Sequence, residues 1–171
     1  MFTIKKMSYT AILIAIGILL PMAFHSIPNA GLRFLPMHIP VLLCGLVCGL
    51  PYGLICGIIT PVLSYFFTGM PPAAMMPSML TQLTVYGAVS AALMHAVRFK
   101  NMYANLYISL IGAMLAGRIV FGILNALVFT PGTYSVKAWI GAMFITAVPG
   151  IIIQIIAIPI VFFALKKARL I

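Results

Sequence analysis

The sequence predicts an all-α polytopic membrane protein, folded as a compact bundle of six transmembrane helices with both termini in the cytoplasm. Hydrophobic residues make up 64% of its 171 residues and charged residues only 6%, which is too little charge to cover a soluble core. The apolar segments approach the roughly 20 residues that a helix needs to cross a bilayer, and they lack the alternation of barrel strands. The third indication of a membrane protein is that lysine and arginine lie mostly at the ends of the apolar segments. One domain, residues 1–171, is therefore expected.

Prolines, glycines and charged residues divide the chain into six predicted spans. The first ends at Pro28-Asn29, and Pro51 separates the second from the third. These two spans are short, and together they could instead form one broken hairpin. The later breaks are Pro71-Pro72-Ala73, Arg98-Phe99-Lys100-Asn101, Thr130-Pro131-Gly132 and Lys166-Lys167-Ala168-Arg169. The predicted ranges are about 8–27, 36–50, 52–68, 77–97, 104–129 and 139–165.

The basic residues indicate which side of the membrane each loop faces. With the N-terminus inside, seven lysines and arginines fall on the cytoplasmic side and two on the outer side, as the positive-inside rule requires. Because these charges are scattered over span ends, they suit anionic lipid headgroups rather than nucleic acid. Trp139 and Tyr134 fit an outer aromatic belt. The cytoplasmic set is Lys5, Lys6, Arg98, Lys100, Lys166, Lys167 and Arg169, and the outer set is Arg33 and Lys137.

No aspartate or glutamate occurs anywhere in the sequence. Proton-coupled carriers usually relay protons through acids or histidine inside the membrane, and an ATPase needs an acid to hold Mg²⁺. Nucleophilic catalysis lacks an acid to orient a histidine and lacks a Gly-x-Ser-x-Gly motif. We therefore expect no enzyme, no cofactor and no metal site, and energy supplied by a partner. Cys44, Cys48 and Cys56 are expected to be small buried packing residues.

Arg118 is the tenth basic residue and the most informative one. It lies fourteen residues after Ala104, or about 21 Å along a helix, beyond the midplane of a hydrocarbon core about 30 Å thick. A guanidinium at that depth costs at least a few kcal/mol, and this chain has no carboxylate to pair with it. Snorkelling to the outer interface, backbone carbonyls with water, and a partner's acid are possible resolutions. An anionic ligand is favoured, because the guanidinium fork binds a carboxylate bidentately.

Other polar side chains are expected in the same outer half of the bundle. Asn125 follows Arg118 by seven residues on one helix face, and Gln82 and Tyr86 form an i, i+4 pair. His38 begins the second span, and Gln154 lies near the middle of the sixth. Polar groups that converge in an apolar cavity are typical of a small-molecule site, although each alone could be a packing hydrogen bond.

Small residues recur at helical spacing in two places. Gly45, Gly49, Gly53 and Gly57 follow one another every four residues, which lets helix backbones approach closely. Because Pro51 interrupts this register, the four glycines could serve two helices. Ala11 and Ala15 form a second small pair near the cytoplasmic end of span 1. This pair could pack inside the bundle or dock a helix of a partner protein.

The Ala11-x-x-x-Ala15 pair, the six short spans and several longer stretches carry a resemblance to a known family. The stretches are Leu35-Pro-Met-His-Ile-Pro-Val-Leu-Leu-Cys-Gly-Leu, Tyr52-Gly, Thr60-Pro-Val-Leu-Ser, Thr68-Gly-Met-Pro-Pro and Tyr86-Gly. Over nearly its whole length, the sequence resembles the substrate-binding S component of an energy-coupling factor (ECF) vitamin transporter.

That resemblance implies a function in the prokaryotic plasma membrane. An S component captures a vitamin or vitamin precursor from outside and docks through span 1, here at Ala11 and Ala15, onto a coupling protein (EcfT) that is bound to two cytoplasmic ATPases. Toppling in the membrane then carries the substrate inward. The deep arginine favours pantothenate first, then pyridoxine or a hydroxymethyl-pyrimidine. The implied binding residues are Arg33, His38, Gln82, Tyr86, Arg118, Asn125 and Gln154.

Two alternatives belong to other functional classes. A small oligomeric channel or permease would use the glycine face as a helix interface and would need no ATPase. A structural subunit of a larger membrane complex would pair Arg118 with an acid on a neighbouring subunit. Co-purification with a coupling protein would distinguish the S component from the channel.

Overall fold

The computed structural model describes residues 3–24, 30–132 and 134–171, and it contains helices but no strand within these ranges. The main helices are α1 (Ile4–Ala23), α2 (Ala30–Phe34), α3 (His38–Cys48), α4 (Leu50–Thr68), α5 (Met76–Ala96), α6 (Met102–Leu124), α7 (Val136–Ile140) and α8 (Val148–Lys167). A 3₁₀ turn at Ala73–Met75 precedes α5, and π-helical segments occupy Asn125–Phe129 and Gly141–Thr146.

The predicted all-α polytopic bundle is confirmed. Within the described residues, five segments are long and apolar enough to cross a membrane, and Val136–Thr146 is a shorter apolar helix. The helix α5, at 21 residues, has the length of a span but a lower mean hydropathy than these five. The five segments are Ile4–Ala23, Gly31–Cys48, Leu50–Thr68, Met102–Phe129 and Val148–Lys167.

Two predicted span boundaries differ from the structure. The first helix begins at Ile4, about four residues earlier than expected, and the predicted end of its span at 25–27 lies outside the described residues. A single helix over 139–165 is wrong, because the helix is interrupted at Ala147. Pro149 explains the interruption, since its ring lacks an N–H and would collide with the carbonyl of Ile145 in a continuous helix.

The second and third predicted spans are two separate helices that pack against each other, and each segment is long and apolar enough to cross a membrane, so the alternative of one short broken hairpin is not needed. Gly49 alone separates α3 from α4, and its φ of 94° is a conformation that favours glycine. Pro51 follows in the first turn of α4, where a missing N–H costs no helical hydrogen bond. The chain therefore reverses direction within a very short connection.

Glycine contacts bring α3 and α4 against α5, which also packs on α6. A Cβ on Gly45 or Gly53 would overlap the carbonyl of Gly87, and a Cβ on Gly57 would lie 2.6 Å from the carbonyl oxygen of Leu83. The predicted close packing is confirmed at Gly45 on α3 and at Gly53 and Gly57 on α4, so these glycines serve two helices, whereas a Cβ on Gly49 would meet nothing within 4 Å in the described structure. Such close approach favours van der Waals contact between backbones in a membrane.

Contacts at one end of the bundle agree with the charge distribution. The Tyr9 hydroxyl donates to the carbonyl of Leu170 at 2.8 Å, and the rings of Tyr103 and Phe163 are 4.2 Å apart. The start of α1, the start of α6 and the end of α8 therefore share the end that carries most of the basic residues. The three cysteines are buried and free, as expected for packing residues.

Candidate functional site

Arg118 is buried inside the bundle, with 2% of its surface exposed. Its Nε donates to the carbonyl of Met143 at 3.0 Å, and its Nη1 lies 3.4 Å from the carbonyl of Met114. The Nη2 atom has no hydrogen-bond partner among the residues that the structure describes. The carbon Cζ lies 5.8 Å from the centre of the Phe144 ring. Snorkelling is therefore the wrong interpretation, because the guanidinium points into the protein.

His38, Gln82 and Tyr86 lie next to this guanidinium. The His38 ring meets Tyr86 edge-on with centroids 5.2 Å apart, and Gln82 Nε2 lies 3.5 Å from the Tyr86 hydroxyl. Gln82 Nε2 also lies 3.8 Å from the sulphur of Met143, the residue whose carbonyl accepts from Arg118, so these side chains form one connected group. Neither nitrogen of His38 forms a hydrogen bond with any described residue. We call Arg118, His38, Gln82 and Tyr86 the Arg118 cluster.

A glycine on α6 makes room for the cluster. A Cβ on Gly117 would overlap the ring of Tyr86. The tyrosine ring can therefore lie flat against α6, one residue before Arg118. This close approach of α5 to α6 brings Gln82 and Tyr86 of α5 next to Arg118 of α6.

Gln154, like Arg118 and His38, is a buried polar residue with side-chain atoms that lack hydrogen-bond partners among the described residues. Its side chain is fully buried on α8, and neither its Nε2 nor its Oε1 has a partner among residues 3–24, 30–132 and 134–171. The helix α8 packs against α3 and α6, the helices that carry His38 and Arg118. An amide buried in this way costs about 1–3 kcal/mol unless something completes its hydrogen bonds.

Asn125 differs from these groups because its hydrogen bonds are complete within the protein. Its Oδ1 accepts from the Ser78 hydroxyl at 2.8 Å, and its Nδ2 donates to the carbonyl of Phe121 at 2.8 Å. The pair joins the first turn of α5 to the π-helical segment that follows α6. Asn125 therefore ties two helices together at the outer end.

Arg33, Ala11 and Ala15 lie away from the cluster. Arg33 is exposed on the short helix α2, which packs on α8. Ala11 and Ala15 are exposed on α1, whereas Thr10 and Gly17 face inward from the same helix. The small pair is therefore on the outer surface of the described bundle, and its side chains do not fill the interior.

Trp139 and Met143 complete the surroundings of Arg118, and the sequence did not indicate these roles. The indole Nε1 of Trp139 donates to the main-chain carbonyl of Arg118 at 3.0 Å, and its ring lies over Gly122. The sulphur of Met143 is 3.8 Å from Gln82 Nε2. A methionine in an apolar run carries no polar signal, so sequence reasoning could not select it.

A cavity of about 250 Å³ has Trp139 as one of its lining residues. Its walls are apolar except near Tyr134 and Ser135, and burial raises the pKa of Tyr134, which keeps that hydroxyl neutral. The lining residues are Ile119, Gly122, Ile123, Ala126, Tyr134, Ser135, Val136 and Trp139. Trp139 therefore both borders this cavity and donates to the main chain of Arg118.

Comparison with known protein families shows which family this chain belongs to. The family described as ECF transporter, substrate-specific component, matches residues 5–162. This chain belongs to that family. No curated protein and no solved structure matches it. As an S component it is a multi-pass membrane protein that binds substrate for a transporter, in a family that is neither one of channels nor one of enzymes.

Proposed function

We propose that this S component captures a carboxylate-bearing vitamin or vitamin precursor from outside at the Arg118 cluster. The observation that carries the proposal is a buried guanidinium whose Nη2 finds no partner within the described chain, in a sequence without any acidic side chain. A buried charge is costly unless it is paired. An anionic ligand that enters the cluster would supply the missing charge and the missing acceptor.

The neutral groups around Arg118 suit a ligand that also has hydroxyl or amide groups. His38 and Gln154 together offer four polar atoms that are unpaired among the described residues. Pantothenate, with one carboxylate, two hydroxyls and an amide, is the first candidate. Pyridoxine or a hydroxymethyl-pyrimidine comes next, but neither has a carboxylate, so binding of either one instead of pantothenate would contradict the carboxylate part of this proposal. The proposed binding set is Arg33, His38, Gln82, Tyr86, Arg118, Asn125 and Gln154, with Arg33 and Asn125 toward the outer rim.

Transport would need partners, because the chain has no acid to relay protons or hold Mg²⁺. We infer that α1 docks onto the coupling protein (EcfT) of a complex with two cytoplasmic ATPases, in a prokaryotic plasma membrane. Toppling of the docked S component would then deliver the ligand inward. The exposed Ala11 and Ala15 support this proposal, because small side chains let a partner helix approach closely.

A thermal-shift screen of the detergent-purified protein tests the binding proposal. The panel contains pantothenate, pyridoxine, hydroxymethyl-pyrimidine, riboflavin, biotin, folate and niacin. A ligand at 100 times its Kd should stabilise the fold by about 2.7 kcal/mol. Arg118→Gln should abolish the shift, and Arg98→Gln, at an exposed site on the cytoplasmic side, should keep it. A ligand that shifts wild type and Arg118→Gln equally would contradict the assignment of the site.

A further inference from the structure

The guanidinium of Arg118 has one edge that can donate two parallel hydrogen bonds, and only one of the two donors has a partner among the described residues. Its Nε–H and one Nη2–H point in the same direction, and this edge is one that a carboxylate can bind with two parallel hydrogen bonds. The Nε position is filled by the carbonyl of Met143 at 3.0 Å, while Nη2 has no partner in the part of the chain that the structure describes. One backbone oxygen thus fills one of the two donor positions of this edge, and the other donor has no partner among the described residues.

The local helix geometry makes the Met143 carbonyl available. Met143 lies in the π-helical segment Gly141–Thr146. The N–H of Ala147, which would bond this carbonyl in an α-helix, donates to the carbonyl of Ile145 instead. The Met143 oxygen can therefore turn toward Arg118. A π-helical turn inside a helix frequently marks a functional site.

The side chain of Met143 occupies a second position in the same cluster. Only 7% of Met143 is exposed, and its sulphur lies 3.8 Å from the amide nitrogen of Gln82. A thioether is a weak acceptor. Met143 therefore presents one acceptor to Arg118 and one weak acceptor to Gln82, and it fills the space between them.

We propose that Met143 is a surrogate ligand, and this inference rests on the proposed function. The substrate carboxylate displaces the Met143 carbonyl and binds Nε and Nη2 of Arg118 together. A neutral acceptor of the substrate replaces the sulphur at Gln82. Met143 then determines which ligands bind, because a ligand must supply better acceptors at both positions. Val136–Thr146 moves away from α6 when this happens.

Trp139 links the segment to the arginine and reports on the displacement. It lies four residues before Met143, its indole donates to the Arg118 carbonyl, and its ring is 5.4 Å from that of Phe144. It is the only tryptophan in the sequence. Its intrinsic fluorescence is therefore a specific probe of the Val136–Thr146 segment.

The first experiment needs no ligand. Acrylamide quenching of Trp139 is compared in wild type, Arg118→Met and the control Arg98→Met, which makes the same change at an exposed arginine. If the Arg118–Met143 hydrogen bond holds the segment closed, Arg118→Met should raise the quenching constant at least about twofold, because the segment opens more often. An unchanged quenching constant in a folded Arg118→Met protein would overturn the inference, whatever the substrate is.

The second experiment measures pantothenate affinity through Trp139 fluorescence. Met143→Ala should bind about threefold to tenfold more tightly than wild type, because the closed state competes less with the ligand. Met94→Ala, a partly buried methionine elsewhere, should leave the affinity unchanged. Met143→Leu keeps the volume but removes the sulphur acceptor, and it should also bind more tightly. Unchanged or weaker binding in both Met143 variants would refute the proposal that Met143 competes with the substrate as a surrogate ligand.

Failure of the proposed function gives a different pattern. If none of pantothenate, biotin, folate and niacin, the carboxylate-bearing members of the panel, binds wild type, the carboxylate-vitamin proposal fails. The quenching comparison then still decides whether Met143 and Arg118 hold the segment closed. Binding that the thermal-shift assay detects but that leaves Trp139 fluorescence unchanged would support the proposed function and overturn the displacement of the segment.

Discussion

Gly53→Ala should destabilise the bundle at the contact between α4 and α5. A Cβ at this position would lie 2.8 Å from the carbonyl carbon of Gly87 and 3.0 Å from the Cα of Gly45. Carbon atoms make their best contacts at about 3.5–4.0 Å, so the backbones would have to separate by about 0.5–1 Å. All the close neighbours are backbone atoms, and no flexible side chain can move aside to relieve the overlap.

The expected loss follows from this overlap. Overpacking typically costs about 1–3 kcal/mol, and we expect the upper half of that range here because three helices share the contact. For a chain of this size the loss corresponds to a fall in Tm of about 4–12 °C. Thermal unfolding can be followed with a thiol-reactive fluorophore, because Cys44, Cys48 and Cys56 are buried and free in the folded state.

The matched control is Gly141→Ala. A Cβ at Gly141 meets nothing within 4 Å among the described atoms, and the residue is helical. Since alanine is the better helix former, this change should leave Tm unchanged or raise it slightly. Equal Tm values for the two variants would refute the argument that backbone contact at Gly53 holds α4 against α5.

Three further predictions concern binding, packing and docking. Gln154→Leu should weaken pantothenate binding yet leave the ligand-free Tm unchanged or higher, because the buried amide has no partner within the described chain. Thermal unfolding measured with and without pantothenate checks the binding and the Tm together. Ser78→Ala should cost about 1 kcal/mol by removing the hydroxyl that donates to Asn125, as measured by thiol-reactive unfolding, and an unchanged Tm would contradict this. Ala15→Trp should reduce co-purification of the coupling protein at unchanged ligand affinity, whereas Ile108→Trp, on the exposed side of α6, should reduce neither.

Much of the fold could be predicted because it depends on local sequence. Length, apolar composition and basic loops determine a helical membrane bundle before any packing is considered. Glycine spacing likewise predicted close contact between helices, because a residue without a side chain lets a neighbouring backbone approach closely in any pair of helices. The position of Arg118 along its helix placed it at depth, and the absence of acids showed that it needed an unusual partner.

The tertiary structure alone decided what surrounds that arginine. Met143 is far from Arg118 in sequence, its side chain is apolar, and its role depends on a backbone carbonyl that a π-helical segment turns inward. The sequence could not predict which of the two amides, Asn125 or Gln154, finds a hydrogen-bond partner inside the protein. Asn125 finds its partner in Ser78, whereas Gln154 finds none within the described residues. Composition determines which polar groups enter the membrane, but only the packing of distant segments determines which of them remain available to a ligand.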